Sequence, residues 1–356
     1  MTAAPHRPPG APTADGTEIE GRLDEAVRAV RAPDAVFALS QDGRRTVRCG
    51  GTAPPPPVPR DRLRYELGSA SKPYTGLLLA ELVRSGVVCG ADPAVVHLGP
   101  GRPHPRRSAI TLTHLITHTS GLPPLPRDFY RQGLPHWSTN PYAGYPAERV
   151  VRAFLRSRPA HRPGTRWRYS NFGASVLGHA LAAATATPWE ELLTERILEP
   201  LGLAATALAP AGRPDTDATG HRADGTTPVP PLLIGGFQAA GAVRATPHDL
   251  LSFLEAHLRP DGTPLDGALR TVQRPVLRRG LGHRHVHTLT WFRHPTDHGP
   301  MYFHAGATSG QQAFLGFRPD TATALAAVST RRHTGRDAFV ATAYGLLASL
   351  PPLDRE

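Results

Sequence analysis

At 356 residues, with 40% hydrophobic and 6% aromatic content, the chain is long enough for one large domain or two lobes around a sizeable core. The net charge of +11 raises the question of nucleic acid, but the arginines stand in ones and twos, with no run of five and little aromatic interleaving, which argues against such a partner. No run of 18 apolar residues exists, Met1–Gly16 lacks the apolar stretch of a secretory signal, and Cys49 and Cys89 make no disulfide framework, so a cytoplasmic protein with reduced thiols is expected if Met1 is the natural start.

Residues 1–16 read as a flexible tail. Thr17-Glu18-Ile19-Glu20 has the form of a capping box, and Ile19, Leu23, Ala26, Val27 and Val30 follow at helical spacing. Ala35–Ser40 and Arg44–Cys49 flank Gln41-Asp42-Gly43, a hairpin signal. After the proline-rich loop Ala53–Pro59 comes a short extended run, Arg64–Leu67. A helix over Ser71–Ser85 is predicted, with Pro73 in its first turn and Gly86 as its stop. The middle of the chain reads as helical at Leu112–His118, Ala147–Ser157 and Phe172–Ala184. Further helices are expected after Thr187 and from Thr246 to Leu258. Strands are expected at Val286–Phe292, Met301–His304, Ala313–Phe317 and Ala322–Ser329, and Arg336–Leu350 closes the chain as a helix.

Strands at both ends with helices between them imply an α+β protein. Both chain ends build one antiparallel sheet, the terminal helices flank it, and a helical lobe is inserted. The expected division is a single domain over 17–350, with a helical lobe at about 69–235, a sheet lobe from 17–68 and 236–350, and a tail at 351–356.

Chemistry is signalled by rarity. Lys+Arg is 40, yet Lys72 is the single lysine. Arginine supplies charge as well as lysine does but cannot give up its proton. A position that keeps lysine in so arginine-rich a chain points to an amine that can lose its proton. Ser69 lies one helical turn earlier, a nucleophile beside a possible base. A GC-rich coding sequence would also strip lysines, so the pair by itself stays open.

Two more segments bear on it. In Tyr169-Ser170-Asn171 the tyrosine could relay protons, especially as a phenolate, and the Asn171 amide could hold an acyl-side carbonyl. The same residues also fit a structural tyrosine and a helix-capping asparagine. In His304-Ala305-Gly306 the small residues let a substrate approach the backbone, and the N–H of Ala307 could join that of Ser69 as an oxyanion donor. An ordinary strand ending in a turn would look the same.

Taken together and in this order, the three segments resemble the serine β-lactamase and penicillin-binding superfamily. The class C-like branch is the closer match, with its β-lactamases, D-alanyl-D-alanine carboxypeptidases, esterases and transacylases. Leu112–Leu122, Pro200–Leu203, Gly241–Asp249, His304–Gly310 and Gly316–Pro319 extend the resemblance over about residues 20–350. It implies the β-lactamase/transpeptidase-like fold, a sheet lobe and a helical lobe with the site between them. It also implies Ser69 as nucleophile, Lys72 and Tyr169 as acid and base, and Asn171, His304 and Gly306 as substrate-positioning residues. One departure is His304, where many β-lactamases carry a lysine that attracts the substrate carboxylate. Another is Pro123–Tyr145, with Trp137, Tyr142 and Tyr145, which follows no recognisable pattern and borders the expected cleft.

The resulting expectation is a serine acyl hydrolase acting on a small ester, amide or peptide, without metal or organic cofactor. The alternatives are a transacylase using the same acyl-enzyme, a β-lactamase or cell-wall peptidase, and an inactive binding module. Metal readings are weaker. His114 and His118 share a helical spacing, but Leu115 stands where a zinc protease needs Glu. His283, His285 and His287 alternate along a strand and read as an exposed polar face.

Overall fold

Asp42 and Gly43 both take positive φ, 50° and 85°, which is what a two-residue type I′ turn requires. In the computed structural model, which describes residues 16–99, 104–137, 139–213, 215–280 and 285–352, that turn joins β1 (Ala35–Gln41) to β2 (Arg44–Gly50). β1 also pairs antiparallel with β10 (Thr323–Ser329), from Ala35 opposite Ser329 to Gln41 opposite Thr323. The two ends of the chain thus meet in the middle of one sheet.

Among the described residues that sheet has eight strands, in the order β2-β1-β10-β9-β8-β7-β6-β5. The remaining members are β5 (Leu277–Arg279), β6 (His285–His287), β7 (Phe292–Thr296), β8 (Gly299–Ala307) and β9 (Gln312–Arg318). Every pairing in it is antiparallel. A two-stranded pair, β3 (Tyr65–Glu66) with β4 (Arg244–Ala245), lies outside it. The fold class is α+β, as strands at both ends with helices between them implied.

β1, β9 and β10 are buried at every position, because both faces of the sheet are covered. On one face the Gly16–Val30 and Phe339–Ser349 helices pack Leu23, Val27, Phe339 and Leu347 against Phe37, Phe314 and Leu325. On the other, the Pro247–Leu258 helix begins the large core that continues through the helices of the middle of the chain. Thr246 caps that helix by accepting from the Asp249 N–H, the arrangement its sequence indicated.

Several expectations need correction. The first helix begins at Gly16, so Gly16 is not tail and Thr17 is not its cap; residues 1–15 and 353–356 lie outside the described residues. The apolar run Val286–Phe292 is not one strand. The Thr288 hydroxyl accepts from the Trp291 N–H at 2.9 Å and the Thr288 N–H donates to the Trp291 carbonyl at 2.9 Å, which folds the run into the turn between β6 and β7. A short apolar run looks the same in a strand as in a turn that buries its tryptophan, and Trp291 is fully buried. The helix at Leu112 stops at Ile116, because His118 takes a left-handed φ of 58°. The helix after Thr187 starts at Trp189 and continues as a π turn, Thr194–Leu198. The edge strand β5 carries no periodic signal and went unread. Cys49 and Cys89 are free and exposed. No helix among the described residues is long and apolar enough to cross a membrane.

Candidate active site

Two glycines bring the serine to the sheet. Gly68 adopts a φ of 49°, a region that side chains disfavour. A Cβ there would sit 2.4 Å from the Ala307 carbonyl oxygen. A Cβ on Gly306 would lie 2.0 Å from the Leu67 carbonyl oxygen and 2.8 Å from the Ser69 nitrogen. The end of β8 therefore packs directly on the backbone of the Gly68–Ser71 turn, which leads into the Lys72–Arg84 helix. This contact is anchored from behind. Glu66 and Arg244, both buried, form an ion pair at 3.0 Å across β3 and β4, and Glu66 also accepts from the Leu232 N–H.

The Ala307 N–H is free to act. Thr308 donates to the Gln311 carbonyl, so the alternation of an antiparallel ladder aims the Ala307 N–H away from β9. On that other side β7 begins at Phe292, opposite Phe303, and does not reach Ala307. Ala307 is exposed and Ser69 half-buried, side by side at the open edge.

Lys72 is 1% exposed. Its Nζ donates to Ser69 Oγ at 3.1 Å, to Asn171 Oδ1 at 2.9 Å and to the Ala240 carbonyl at 2.8 Å. Among the described residues it forms no ion pair. Burial without a counter-charge lowers its pKa to about 7. The Ala240 carbonyl is held in place because Thr75 donates to the Ala239 carbonyl and Val243 donates to Ser71 Oγ.

Tyr169 lies under this amine, with Lys72 Nζ 4.9 Å from its ring centre. Burial raises the Tyr169 pKa, and the Ser69 hydroxyl only partly opposes it. The residue is a phenol at neutral pH, so the phenolate expectation fails. The helix cap beside it is Ser170: its Oγ accepts from the Gly173 N–H at 2.8 Å and donates to the Pro123 carbonyl at 2.6 Å. Asn171 is the first helical residue rather than the cap. Its amide faces Lys72 through Oδ1 and donates through Nδ2 to the Tyr142 hydroxyl at 3.3 Å, leaving one N–H for a ligand.

His304 is 2% exposed, and its Nδ1 lies 2.9 Å from the Ala305 carbonyl. Burial, followed by the nearby Lys72 charge, lowers its pKa to about 3. It carries no charge at neutral pH. His118 is pushed well below the usual imidazole range by the same two causes. Its Nδ1 accepts from the Ser170 N–H and its carbonyl from the Arg168 N–H, so it scaffolds the Tyr169 loop.

The metal readings dissolve into packing. His114 accepts from the Thr111 N–H as part of a helix cap. His287 is buried against Trp167 and Phe292, not exposed as expected, while His285 is exposed beside His294. His283 lies outside the described residues. Among those residues no group of three potential ligands could hold a metal ion.

All seven site residues expected from the sequence, Ser69, Lys72, Tyr169, Asn171, His304, Gly306 and Ala307, come to this one edge. A structural role for His118 in its turn agrees with the expectation, whereas the Ala240 carbonyl and the Tyr142 hydroxyl contact carry no signal in the sequence. A carbonyl contact leaves no side-chain signature, and Tyr142 belongs to the segment that followed no pattern.

Comparison with known proteins gives the same picture. The Beta-lactamase family matches residues 19–350. A β-lactamase of Pseudomonas fluorescens is 27% identical over 68% of this chain and 66% of its own length. The D-alanyl-D-alanine-carboxypeptidase/endopeptidase AmpH of Escherichia coli K12 is 29% identical over 55% of this chain and 49% of its own. The chain therefore spans about half to two-thirds of the length of these relatives. In three dimensions a class C β-lactamase superposes with a TM-score of 0.79 at 19% identity, covering 95% of this chain and 98% of that one. The class C β-lactamase of Rhodobacter sphaeroides does so with 0.75 at 20%, over 92% and 97%. With the match running from the first helix to the last, this chain belongs to the β-lactamase family.

Proposed function

We propose that the protein is a serine acyl hydrolase that cleaves an ester or amide through an acyl-enzyme on Ser69. The observation that carries this reading is Lys72, buried without a carboxylate, poised near pH 7 and donating to Ser69 Oγ. As the free amine it takes the Ser69 proton while Oγ attacks the acyl carbon. The N–H groups of Ser69 and Ala307 receive the oxyanion. The bond to the leaving group breaks, and the proton taken from Ser69 departs on it, handed over by Lys72 or by the Tyr169 phenol. Water then adds to the acyl carbon and gives a proton to Lys72, the bond between that carbon and Ser69 Oγ breaks, and Lys72 returns the proton to Oγ as the acid leaves. Asn171 and His304 position the substrate. Small esters and amides are the substrate class, and no step calls for a metal or organic cofactor.

The neutral state of His304 bears on the choice of substrate. An uncharged imidazole gives no ion pair to a substrate carboxylate, which favours a neutral acyl donor over a β-lactam acid or a peptide C-terminus. Intact-mass measurement after exposure to a fluorophosphonate and to p-nitrophenyl esters tests the reading. One covalent adduct is expected on the native protein and none on Ser69→Ala. Equal labelling of the two would remove Ser69 from the chemistry.

A transacylase built on the same acyl-enzyme is the second reading. Leu134 and Trp137 are exposed on the segment whose Tyr142 hydroxyl accepts from Asn171, and they offer an apolar seat for an acceptor. Product analysis with added amines and alcohols separates transfer from hydrolysis.

A further inference from the structure

Seven of the arginines fall within residues 149–168, and no Asp or Glu occurs between Glu148 and Glu190. Folding concentrates this charge further. A groove of about 850 Å³ is lined by Arg127, Arg149, Arg152, Arg156, Arg158 and Arg168. Among the described residues Asp128 is the only acidic one lining it, and it already serves Arg149 and the Tyr145 hydroxyl. Among the described residues the other five guanidiniums have no carboxylate partner, and all five residues are exposed.

Some arginines elsewhere are neutralised. Arg45, Arg48, Arg60, Arg64, Arg84, Arg244, Arg259 and Arg270 each hold at least one carboxylate. Gathering five unneutralised cations in one concavity opposes folding through self-repulsion, whereas dispersing them would not. The guanidinium fork suits the paired oxygens of phosphate and binds them bidentately. A volume of this size lies within the range of small-molecule sites. Six cations converging on one concavity also differ from the long basic stripe that follows a nucleic-acid backbone.

We propose that this groove is a binding site for a small molecule carrying two or three linked phosphates. It lies beside the reacting residues. Its wall includes Arg168, next to Tyr169, and Phe172, next to Asn171, as well as Pro123, whose carbonyl accepts from Ser170.

The probe is inorganic tripolyphosphate, titrated by calorimetry at about 50 mM salt against the native chain, Arg152→Ala/Arg156→Ala and Arg152→Lys/Arg156→Lys. Saturable one-to-one binding is expected. The alanine pair should weaken it at least tenfold, and the lysine pair, which keeps the charge but loses the forks, at least threefold. Hydrolysis of a p-nitrophenyl ester by both variants should stay within about twofold of the native rate without ligand. If the alanine pair does not fold, the lysine pair alone decides. Three results would overturn the proposal: no saturable binding, an affinity indifferent to these substitutions, or a DNA duplex that binds through the same arginines at least tenfold more tightly than tripolyphosphate.

Discussion

Lys72 Nζ stands 3.1 Å from Ser69 Oγ inside the protein, with an asparagine oxygen and a backbone carbonyl as its other partners. Neutral acceptors satisfy the amine's hydrogen bonds without stabilising its charge as a carboxylate would. Burial, with no opposing charge, is the physical reason its pKa falls to about 7.

Replacing the amine by a permanent cation tests this directly. Lys72→Arg should abolish acylation of Ser69 nearly as fully as Lys72→Ala, with kcat/KM for a p-nitrophenyl ester falling about 10²–10⁴-fold in each. Substantial activity in the arginine variant would show that charge, rather than a removable proton, is what the site needs.

The rate should also follow the titration of that amine. Its pKa is lowered from 10.5 to about 7, so the base form grows as pH rises through 7. The kcat/KM profile should climb along a single limb with a midpoint near 7. Tyr169→Phe should lower the rate yet leave that limb where it is, since Tyr169 stays a phenol throughout this range. A limb that moves with Tyr169→Phe would assign the titration to the tyrosine instead.

Close packing of two backbones makes Gly306 sensitive. A methyl group there would meet the Leu67 carbonyl at 2.0 Å and force β8 away from the serine turn. Gly306→Ala should cost about 10²–10³ in kcat by spoiling the oxyanion donors. Intact-protein circular dichroism checks that the fold survives. Wild-type turnover in the folded variant would mean that Ala307 does not contribute its N–H.

Acid should destabilise the protein above the carboxylate range. Burial lowers the pKa of His304 to about 3, and of His287 and His257 to about 4, from an ordinary 6.5. The unfolded chain therefore binds more protons between pH 6.5 and about 4. Stability is held above 6.5 and lost as pH falls through that window, by about 2 kcal/mol at pH 5 for each imidazole that stays buried and neutral. Urea midpoints at pH 7 and pH 5 should show the loss, and His304→Gln should shrink the difference between them.

Much of this site was legible in the sequence because its functional groups are side chains of unusual identity. A single lysine, one of only two asparagines, and a serine and tyrosine at telling positions need no neighbours to stand out. The hairpin turn at Asp42-Gly43 and the Thr246 cap were legible for a similar reason, since local hydrogen bonds and φ preferences act within a few residues. Backbone contributions carry no such signal. Ala240 contributes a carbonyl, and Thr288 turned an apparent strand into a corner, and neither residue type announces it.

By itself, then, the sequence determined which groups can do chemistry and which short segments become strand, turn or helix, because those depend on side-chain identity and local geometry. Tertiary structure decided how they act. Burial, a property of the whole fold, brought Lys72 down to neutrality, kept Tyr169 protonated and stripped His304 of charge. Folding also gathered arginines that stand in ones and twos along the chain into one groove. Local electric potential depends on three-dimensional distance, which spacing along the chain does not supply.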